Sequence, residues 1–152
     1  MSTNARKRLM KDMKEIRGKG EEDGVYAEPN PDNIMSWKGI IRGPEGTPYE
    51  GGVFQVEISF TEEFPFSSPR VRFVSRMFHP NIYADGNICL DILSSRWSPS
   101  LTVHGLLISI RSLLHDPNPS SPANGDAASL FRNSKEKYTE EVKKTVMETL
   151  ER

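Results

Sequence analysis

The feature that most constrains this fold is a change in the spacing of apolar residues along the chain. Between residues 53 and 60, apolar residues alternate with polar ones, as a β-strand with one buried face requires: Phe54, Val56, Ile58 and Phe60. From residue 103 onward, apolar residues recur at helical spacing instead. A run of strands followed by a run of helices predicts an α+β fold with helices packed against an antiparallel sheet.

The remaining segments extend this pattern. An amphipathic helix with a basic outer face is predicted over 5–17, where the apolar positions are Leu9, Met10, Met13 and Ile16. Four extended stretches are predicted, at about 25–28, 34–42, 53–60 and 70–75. Turn residues at 43–48 favour antiparallel hairpins. After an aperiodic stretch come three predicted helices: one from the N-cap Thr102 to Asp116-Pro117, one over about 124–132, and one over 135–150, capped by Ser134 and aligned by Tyr138, Val142, Val146 and Leu150.

Length and composition predict one domain over residues 1–152. Hydrophobic residues make up 36% and charged residues 27% of the chain, as in globular proteins rather than disordered ones. The formal net charge of −1 gives no general attraction to nucleic acid or to anionic membranes. No apolar stretch resembles a signal peptide or approaches the ~20 residues of a membrane span. With one cysteine, no internal disulfide can form. We therefore expect a cytoplasmic and nuclear location, without membrane association or direct nucleic-acid binding.

The single cysteine, Cys89, lies in the aperiodic stretch 76–101. Connections of that length inside compact domains are usually functional. Taken alone, a lone cysteine is equally compatible with a small buried hydrophobe. A cysteine hydrolase needs a histidine within hydrogen-bond reach of the thiol, and two of the three histidines fall on a predicted helix. A hydrolase is therefore disfavoured.

The stretch from His79 to Asp91 resembles the active-site signature of ubiquitin-conjugating enzymes, with a His-Pro-Asn tripeptide before the cysteine and Trp97-Ser98-Pro99 after it. Further matches stand in the family's order along nearly the whole chain: Pro44-Glu45-Gly46-Thr47-Pro48-Tyr49, Pro65-Phe66, Pro69 and Pro117-Asn118-Pro119. The resemblance implies the ubiquitin-conjugating fold, with an N-terminal helix, a four-stranded antiparallel sheet, a long active-site loop, a central helix and two C-terminal helices.

The resemblance also implies an activity and a set of partners. Cys89 would accept ubiquitin as a thioester from an activating enzyme and pass it to a substrate lysine together with a ubiquitin ligase of the RING type. No metal or cofactor is implied, because the activating enzyme uses the ATP. A non-catalytic binding module with the same fold is the alternative, and Cys89 together with Asn81 argues against it.

Within the family, the chain resembles the subgroup linked to histone ubiquitylation and post-replication DNA repair. The matching residues are Ile34-Met35, Tyr83-Ala84-Asp85-Gly86, Asp91-Ile92-Leu93 and Ser121-Pro122-Ala123-Asn124. Phe66 departs from the subgroup, which has a polar residue there. Tyr26 stands where many members carry a serine used in weak non-covalent ubiquitin binding.

Three polar residues are candidate catalytic groups beside Cys89. The Asn81 amide either donates to the oxyanion of the tetrahedral intermediate or holds the loop through backbone hydrogen bonds. Ser121 occupies the position where many family members have an acid that helps deprotonate the incoming lysine, which puts lysine reactivity in question. Asp91 is the nearby acid that remains, either as a participant or as a loop carboxylate that accepts backbone hydrogen bonds.

The resemblance places partner contacts on the first helix and two loops. Ligase and activating-enzyme contacts are expected at Lys7, Arg8, Lys11, Phe66, Ser98 and Pro99, and donor-ubiquitin contacts at Ile108 and Ser112. Phe66 is either an exposed hydrophobic docking point or a core aromatic under its loop. The basic helix face has two alternatives, a nucleic-acid patch and a merely solvated surface.

Overall fold

The computed structural model describes residues 3–151, which form one four-stranded sheet with helices packed against it. The helices are α1 (Thr3–Lys19), α2 (Val103–His115), α3 (Gly125–Asn133) and α4 (Lys135–Leu150). The strands are β1 (Val25–Asn30), β2 (Asn33–Arg42), β3 (Val53–Ser59) and β4 (Arg70–Phe73). The strands pair antiparallel in the order β1-β2-β3-β4. The predicted α+β architecture is therefore confirmed.

The buried face of the sheet follows from the alternation in the sequence. Ile41 of β2 stands opposite Val25 of β1 on one side and Phe54 of β3 on the other, and all three are fully buried. Every second residue of β3 faces the core, as its pattern predicted. Phe60 is also buried, although it lies one residue beyond the end of β3. The fourth strand ends at Phe73 rather than at residue 75.

Helix α2 lies across the sheet as the centre of the core. Thr102 is its N-cap, and the Thr102 hydroxyl accepts from the backbone N–H of Gly105 at 3.0 Å, as predicted. Six of its apolar side chains are buried: Val103, Leu106, Leu107, Ile110, Leu113 and Leu114. Each such burial contributes about 1.5–3 kcal/mol of transfer free energy, so α2 is a fixed support for whatever its exposed face carries.

Two apolar positions were predicted wrongly. Met10 of α1 is 45% exposed, because the buried stripe of that helix passes through Leu9 and Ile16, and the next residue after Leu9 is turned about 100° away. Leu150 of α4 is 53% exposed, because Thr149 occupies the sheet-facing position and its hydroxyl accepts from the Val53 N–H. Among residues 3–151, no helix is long and apolar enough to cross a membrane.

Candidate active site

Cys89 follows a small hairpin that docks onto the edge strand of the sheet. Ile82 and Ile88 form an antiparallel bridge, and the Cys89 N–H donates to the Asn81 carbonyl at 2.8 Å. The hairpin is fixed to β4, because the Phe73 N–H donates to the Gly86 carbonyl at 2.8 Å. The backbone of Cys89 is thus held on a rigid support, and its side chain is partly exposed.

Gly86 is the residue that lets the hairpin approach β4 so closely. Its φ is +92°, a region that L side chains rarely adopt. A Cβ at this position would lie 2.0 Å from the Phe73 carbonyl oxygen, well inside van der Waals contact. Only glycine fits here without moving the strand and the hairpin apart.

His79 ties the active-site loop to the central helix. Its side chain is fully buried, and its Nε2 donates to the Leu113 carbonyl of α2 at 2.7 Å. Its Nδ1 accepts from the Asn81 N–H at 2.9 Å, which requires the neutral ring. Burial lowers the pKa of His79 from 6.5 to about 4, with the hydrogen bond to Leu113 opposing that shift. His79 is therefore a structural residue, and both of its nitrogens are occupied away from the thiol.

Asn81 joins the active-site loop to the segment that follows α2. Its Nδ2 donates to the Asn118 carbonyl at 2.7 Å and to the Ser121 carbonyl at 3.2 Å, and its Oδ1 accepts from the Asn118 N–H at 2.7 Å. We call residues 118–121 the rim segment. Only 2% of Asn81 is exposed, and its amide shapes the rim in this state. The contacts favour the scaffold alternative over oxyanion donation.

The remaining candidate catalytic residues, Ser121 with its hydroxyl and Asp91 with its carboxylate, both lie at the surface. Ser121 is an exposed residue of the rim segment. Asp91 begins a short 3₁₀ helix (Asp91–Leu93), and its carboxylate lies 3.7 Å from the Arg96 guanidinium. The backbone hydrogen bonds predicted for the Asp91 carboxylate go to its carbonyl instead, which accepts from the N–H groups of Ser94 and Arg96.

Metal chemistry has no evident site in the part of the chain that the structure describes. Across residues 3–151, no group of three or more histidine, cysteine, aspartate or glutamate side chains is placed to hold a metal ion.

Phe66 lies on the surface beside a buried aromatic pair. It is 75% exposed, whereas Phe64, two residues earlier, is 2% exposed. Phe64 stacks against Trp97 at 6.2 Å between ring centroids, and the Trp97 indole N–H donates to the Pro65 carbonyl at 2.9 Å. These contacts bring the turn of Phe66 next to the loop that carries Ser98 and Pro99. The core alternative for Phe66 is therefore wrong.

Arg8 has an internal role that its basic character did not indicate. Its side chain is 18% exposed, and its guanidinium donates to the carbonyls of Pro99 and Leu101 at 2.5 and 2.8 Å. It also pairs with the Asp12 carboxylate at 3.1 Å. The partner contact expected at Arg8 stays a prediction, and the structure adds that the Arg8 donors hold the Pro99 loop onto α1.

The other predicted contact residues lie at the surface. Lys7 and Lys11 are exposed on α1, and Ser98 and Pro99 are exposed in their loop. On α2, Ser112 is exposed and Ile108 is partly buried. The structure thus separates one surface formed by α1, the turn of Phe66 and the Ser98 loop from a second surface on α2.

Sequence reasoning missed three residues of this region. Asp12 is 2% exposed, and its carboxylate accepts from the first N–H of α2, that of Val103, at 3.1 Å. Asn118 supplies the backbone that Asn81 binds, and Arg132 of α3 donates to the rim carbonyl of Pro119 at 2.5 Å. The Arg8–Asp12 pair left a signal in its i,i+4 spacing, and Asn118 stood in the Pro-Asn-Pro motif, which did not indicate its partner.

Comparison with known proteins is in agreement with this geometry. Residues 8–146 match the protein family described as ubiquitin-conjugating enzyme. The chain is 52% identical over 151 residues to ubiquitin-conjugating enzyme E2 2 of Kluyveromyces lactis. The aligned region covers 99% of this chain and 92% of that relative. The protein of the same name in Saccharomyces cerevisiae is also 52% identical over 151 residues, covering 99% of this chain and 87% of that relative.

A solved structure shows the same fold. The E2 domain of a Toxoplasma gondii ubiquitin conjugating enzyme superposes with a TM-score of 0.87 and 36% sequence identity, covering 94% of this chain and 97% of that chain.

Proposed function

The chain belongs to the ubiquitin-conjugating enzyme family, and from this we propose that Cys89 is the residue on which it carries ubiquitin. Enzymes of this family are transferases that accept ubiquitin from an activating enzyme as a thioester and transfer it to substrate lysines with a ubiquitin ligase. The single observation that supports Cys89 is its position. It is the one cysteine of the sequence, is partly exposed, and follows a hairpin fixed to the sheet. Its N–H donates to Asn81, the residue that binds the rim segment.

The proposed chemistry has two acyl transfers. The Cys89 thiolate attacks the thioester carbonyl on the activating enzyme, whose own thiolate leaves. The amine of an acceptor lysine then attacks the new thioester, the Cys89 thiolate leaves, and the amine loses a proton to give the amide. No dedicated base is needed to form the nucleophile, because a few per cent of an ordinary thiol is ionised at neutral pH.

The rim segment and its neighbours have proposed roles in the second transfer. Asn81 fixes the rim next to the thioester, and Asp91 and Ser121 line the approach of the acceptor amine. A surface on α1 and two loops receives the activating enzyme and a ligase of the RING type, through Lys7, Arg8, Lys11, Phe66, Ser98 and Pro99. Ile108 and Ser112 on α2 receive the donor ubiquitin, which favours attack by restricting the thioester to a reactive orientation.

The biological setting is also a proposal. The motifs shared with the histone ubiquitylation and post-replication repair subgroup support a role in DNA repair, and so a location in both cytoplasm and nucleus. We infer that no cofactor acts in this chain, because the ATP is consumed by the activating enzyme. The net charge of −1 supports protein partners rather than nucleic acid.

Thioester formation tests the proposal directly. The wild-type chain, incubated with activating enzyme, ubiquitin and ATP, should give a band one ubiquitin heavier that disappears with thiol reductant. Cys89→Ser should give an ester adduct that survives the reductant, because an alkoxide is a poorer leaving group than a thiolate. Cys89→Ala should give no adduct. A reductant-sensitive adduct on Cys89→Ser, or none on the wild type, contradicts the assignment.

A further inference from the structure

Arg132 places a positive charge at the rim of the active site. It lies in the last turn of α3, and its Nη2 donates to the Pro119 carbonyl of the rim segment at 2.5 Å. The start of α3 is fixed to the active-site tripeptide, because the N–H groups of Ala123 and Asn124 both donate to the Pro80 carbonyl. The guanidinium is therefore held by the same network that joins the rim segment to the His79-Pro80-Asn81 tripeptide.

The carboxylates near the rim do not offset this charge at Pro119. The rim segment, Asn118-Pro119-Ser120-Ser121, contains no acidic residue. On the other side of Cys89, the Asp91 carboxylate faces the Arg96 guanidinium at 3.7 Å. Asp116, just before the rim, has its carboxylate 3.3 Å from the His115 ring. The rim segment thus carries the Arg132 guanidinium at Pro119 and has no carboxylate of its own.

An arginine at this position has two opposed effects on an incoming lysine. It repels the protonated ammonium, which lowers the local concentration of acceptor. It also disfavours the charged form of the amine and so raises the fraction of the reactive neutral form. A carboxylate near the acceptor lysine removes the first effect, because it can pair with the guanidinium in a charge-assisted hydrogen bond and hold the amine in place.

We propose that Arg132 determines acceptor selectivity, and that this enzyme prefers lysines with an aspartate or glutamate close by in the substrate. The proposal rests on the assignment of Cys89 as the thioester residue. Arg132 touches the substrate's acidic side chain and acts as a specificity residue rather than on the reacting atoms.

The experiment uses two peptides that differ only in the residues flanking one acceptor lysine. Glutamates flank the lysine in the first peptide and arginines in the second. Thioester is formed on the full-length enzyme, purified from activating enzyme and ATP, and mixed with each peptide under single-turnover conditions. We expect the acidic peptide to react roughly 2–5-fold faster at low ionic strength, since one close ion pair at an exposed site corresponds to about that factor. Added salt should reduce the difference, because the Debye length falls to about 3 Å at 1 M.

Variants assign the effect to Arg132. Arg132→Lys should keep the preference, Arg132→Gln should abolish it, and Arg132→Glu should reverse it. Lys143→Glu is the matched control, because it makes the same change in net charge at an exposed position of α4 and should leave the preference intact. A reversal at Arg132→Glu is not expected of a residue whose only role is structural.

The outcomes separate this proposal from the proposed function. A wild-type enzyme that forms no thioester contradicts the function. A wild-type enzyme that loads normally but consumes both peptides at equal rates contradicts the selectivity proposal alone, and this comparison needs no variant to fold. Persistence of the wild-type preference in both Arg132→Gln and Arg132→Glu also overturns the assignment to Arg132.

Discussion

Asn81 uses both hydrogens of its side-chain amide on the rim segment. The bond to the Asn118 carbonyl is the shorter at 2.7 Å, and the bond to the Ser121 carbonyl is 3.2 Å. An oxyanion donor needs a hydrogen that points at the developing charge. In this structure Asn81 would have to release the Ser121 carbonyl to provide one. Its contacts therefore make it a positioning residue for the rim.

Asn81→Ala should weaken the fold and both acyl transfers together. The change leaves the N–H and carbonyl of Asn118 without their partner, at a cost of roughly 1–3 kcal/mol in the free energy of unfolding. Melting temperature, thioester loading and single-turnover discharge onto free lysine are the three measurements.

Asn133→Ala is the matched control for this prediction. The Asn133 side chain is exposed at the end of α3 and its amide donates to the Ser129 hydroxyl at 3.4 Å, so this variant should retain the wild-type discharge rate. The oxyanion hypothesis would be restored if Asn81→Ala slowed lysine discharge about 100-fold while thioester loading and melting temperature stayed unchanged.

At the scale of turns and loops, two aromatic residues of one turn, Phe64 and Phe66, lie in opposite environments. Phe64 packs on Trp97 and beneath the Arg8 guanidinium, whereas Phe66 projects from the same turn into solvent. An exposed aromatic in a fixed turn offers apolar area to a partner at little entropic cost. The turn thus joins a core aromatic to an exposed aromatic for which we propose a docking role.

Phe66→Ala should weaken ligase binding by about 2 kcal/mol without lowering the melting temperature. Phe64→Ala is the contrasting variant, and it should destabilise the fold by about 3–5 kcal/mol because it opens a cavity in the core. Ligase affinity measured by titration and melting temperature measured by calorimetry separate the two effects. A melting temperature that falls equally in both variants would place Phe66 in the core after all.

The first and central helices are joined through one buried carboxylate. Asp12 binds Arg8 on its own helix and caps the N-terminus of α2 through the Val103 N–H. Burial raises the pKa of Asp12, and the hydrogen bond and charge of Arg8 oppose the shift. One side chain therefore connects α1 to α2, the helix that carries Ile108 and Ser112.

Asp12→Ala should destabilise the protein by roughly 3 kcal/mol, because it leaves a largely buried arginine without its carboxylate and the Val103 N–H without its acceptor. Thr102→Ala removes only the local cap of the same helix and should cost about 1 kcal/mol. Chemical denaturation of both variants at neutral pH provides the comparison. An equal loss in the two variants would show that the Arg8–Asp12 pair adds nothing beyond capping.

At the scale of the whole molecule, the sequence predicted whatever depends on neighbours along the chain. The alternation in β3, the Thr102 cap and the apolar stripe of α2 are local patterns, and each placed its element correctly. Met10 and Leu150 were misplaced because periodicity gives the existence of an apolar face but not its limits.

Contacts between segments far apart in the sequence were not predicted, because no local pattern of residues indicates them. Asn81 and Asn118 are 37 residues apart, and Asp12 and Val103 are 91 apart. Cys89 was identified through a motif, whereas Arg132 entered the site only because α3 folds back onto the tripeptide. Polar side chains that join separate elements are therefore found in the structure and not in the pattern.

His79 makes the stability of the whole fold depend on pH. Its folded pKa of about 4 lies below the ordinary value of 6.5. Its contribution to the free energy of unfolding is therefore complete above about pH 6.5, where the ring is neutral in both the folded and the unfolded chain. That contribution is lost as the pH falls toward 4. In that window the unfolded chain takes up a proton that the folded chain refuses, because protonation of Nδ1 would break the hydrogen bond from Asn81. Asp12 acts in the opposite direction, since its raised pKa makes protonation favourable to the folded state.

We expect this histidine to remove about 2 kcal/mol from the free energy of unfolding between neutral pH and about pH 5. His79→Gln should be less stable than the wild type at pH 7, but its stability should fall less steeply on acidification by that amount. Urea denaturation of the wild type and His79→Gln at several pH values gives the slopes. Parallel curves for the wild type and His79→Gln would show that the acid sensitivity of the fold originates elsewhere. A shallower curve for His79→Gln alone would identify the histidine that fixes the active-site loop as the group that makes the fold acid-sensitive.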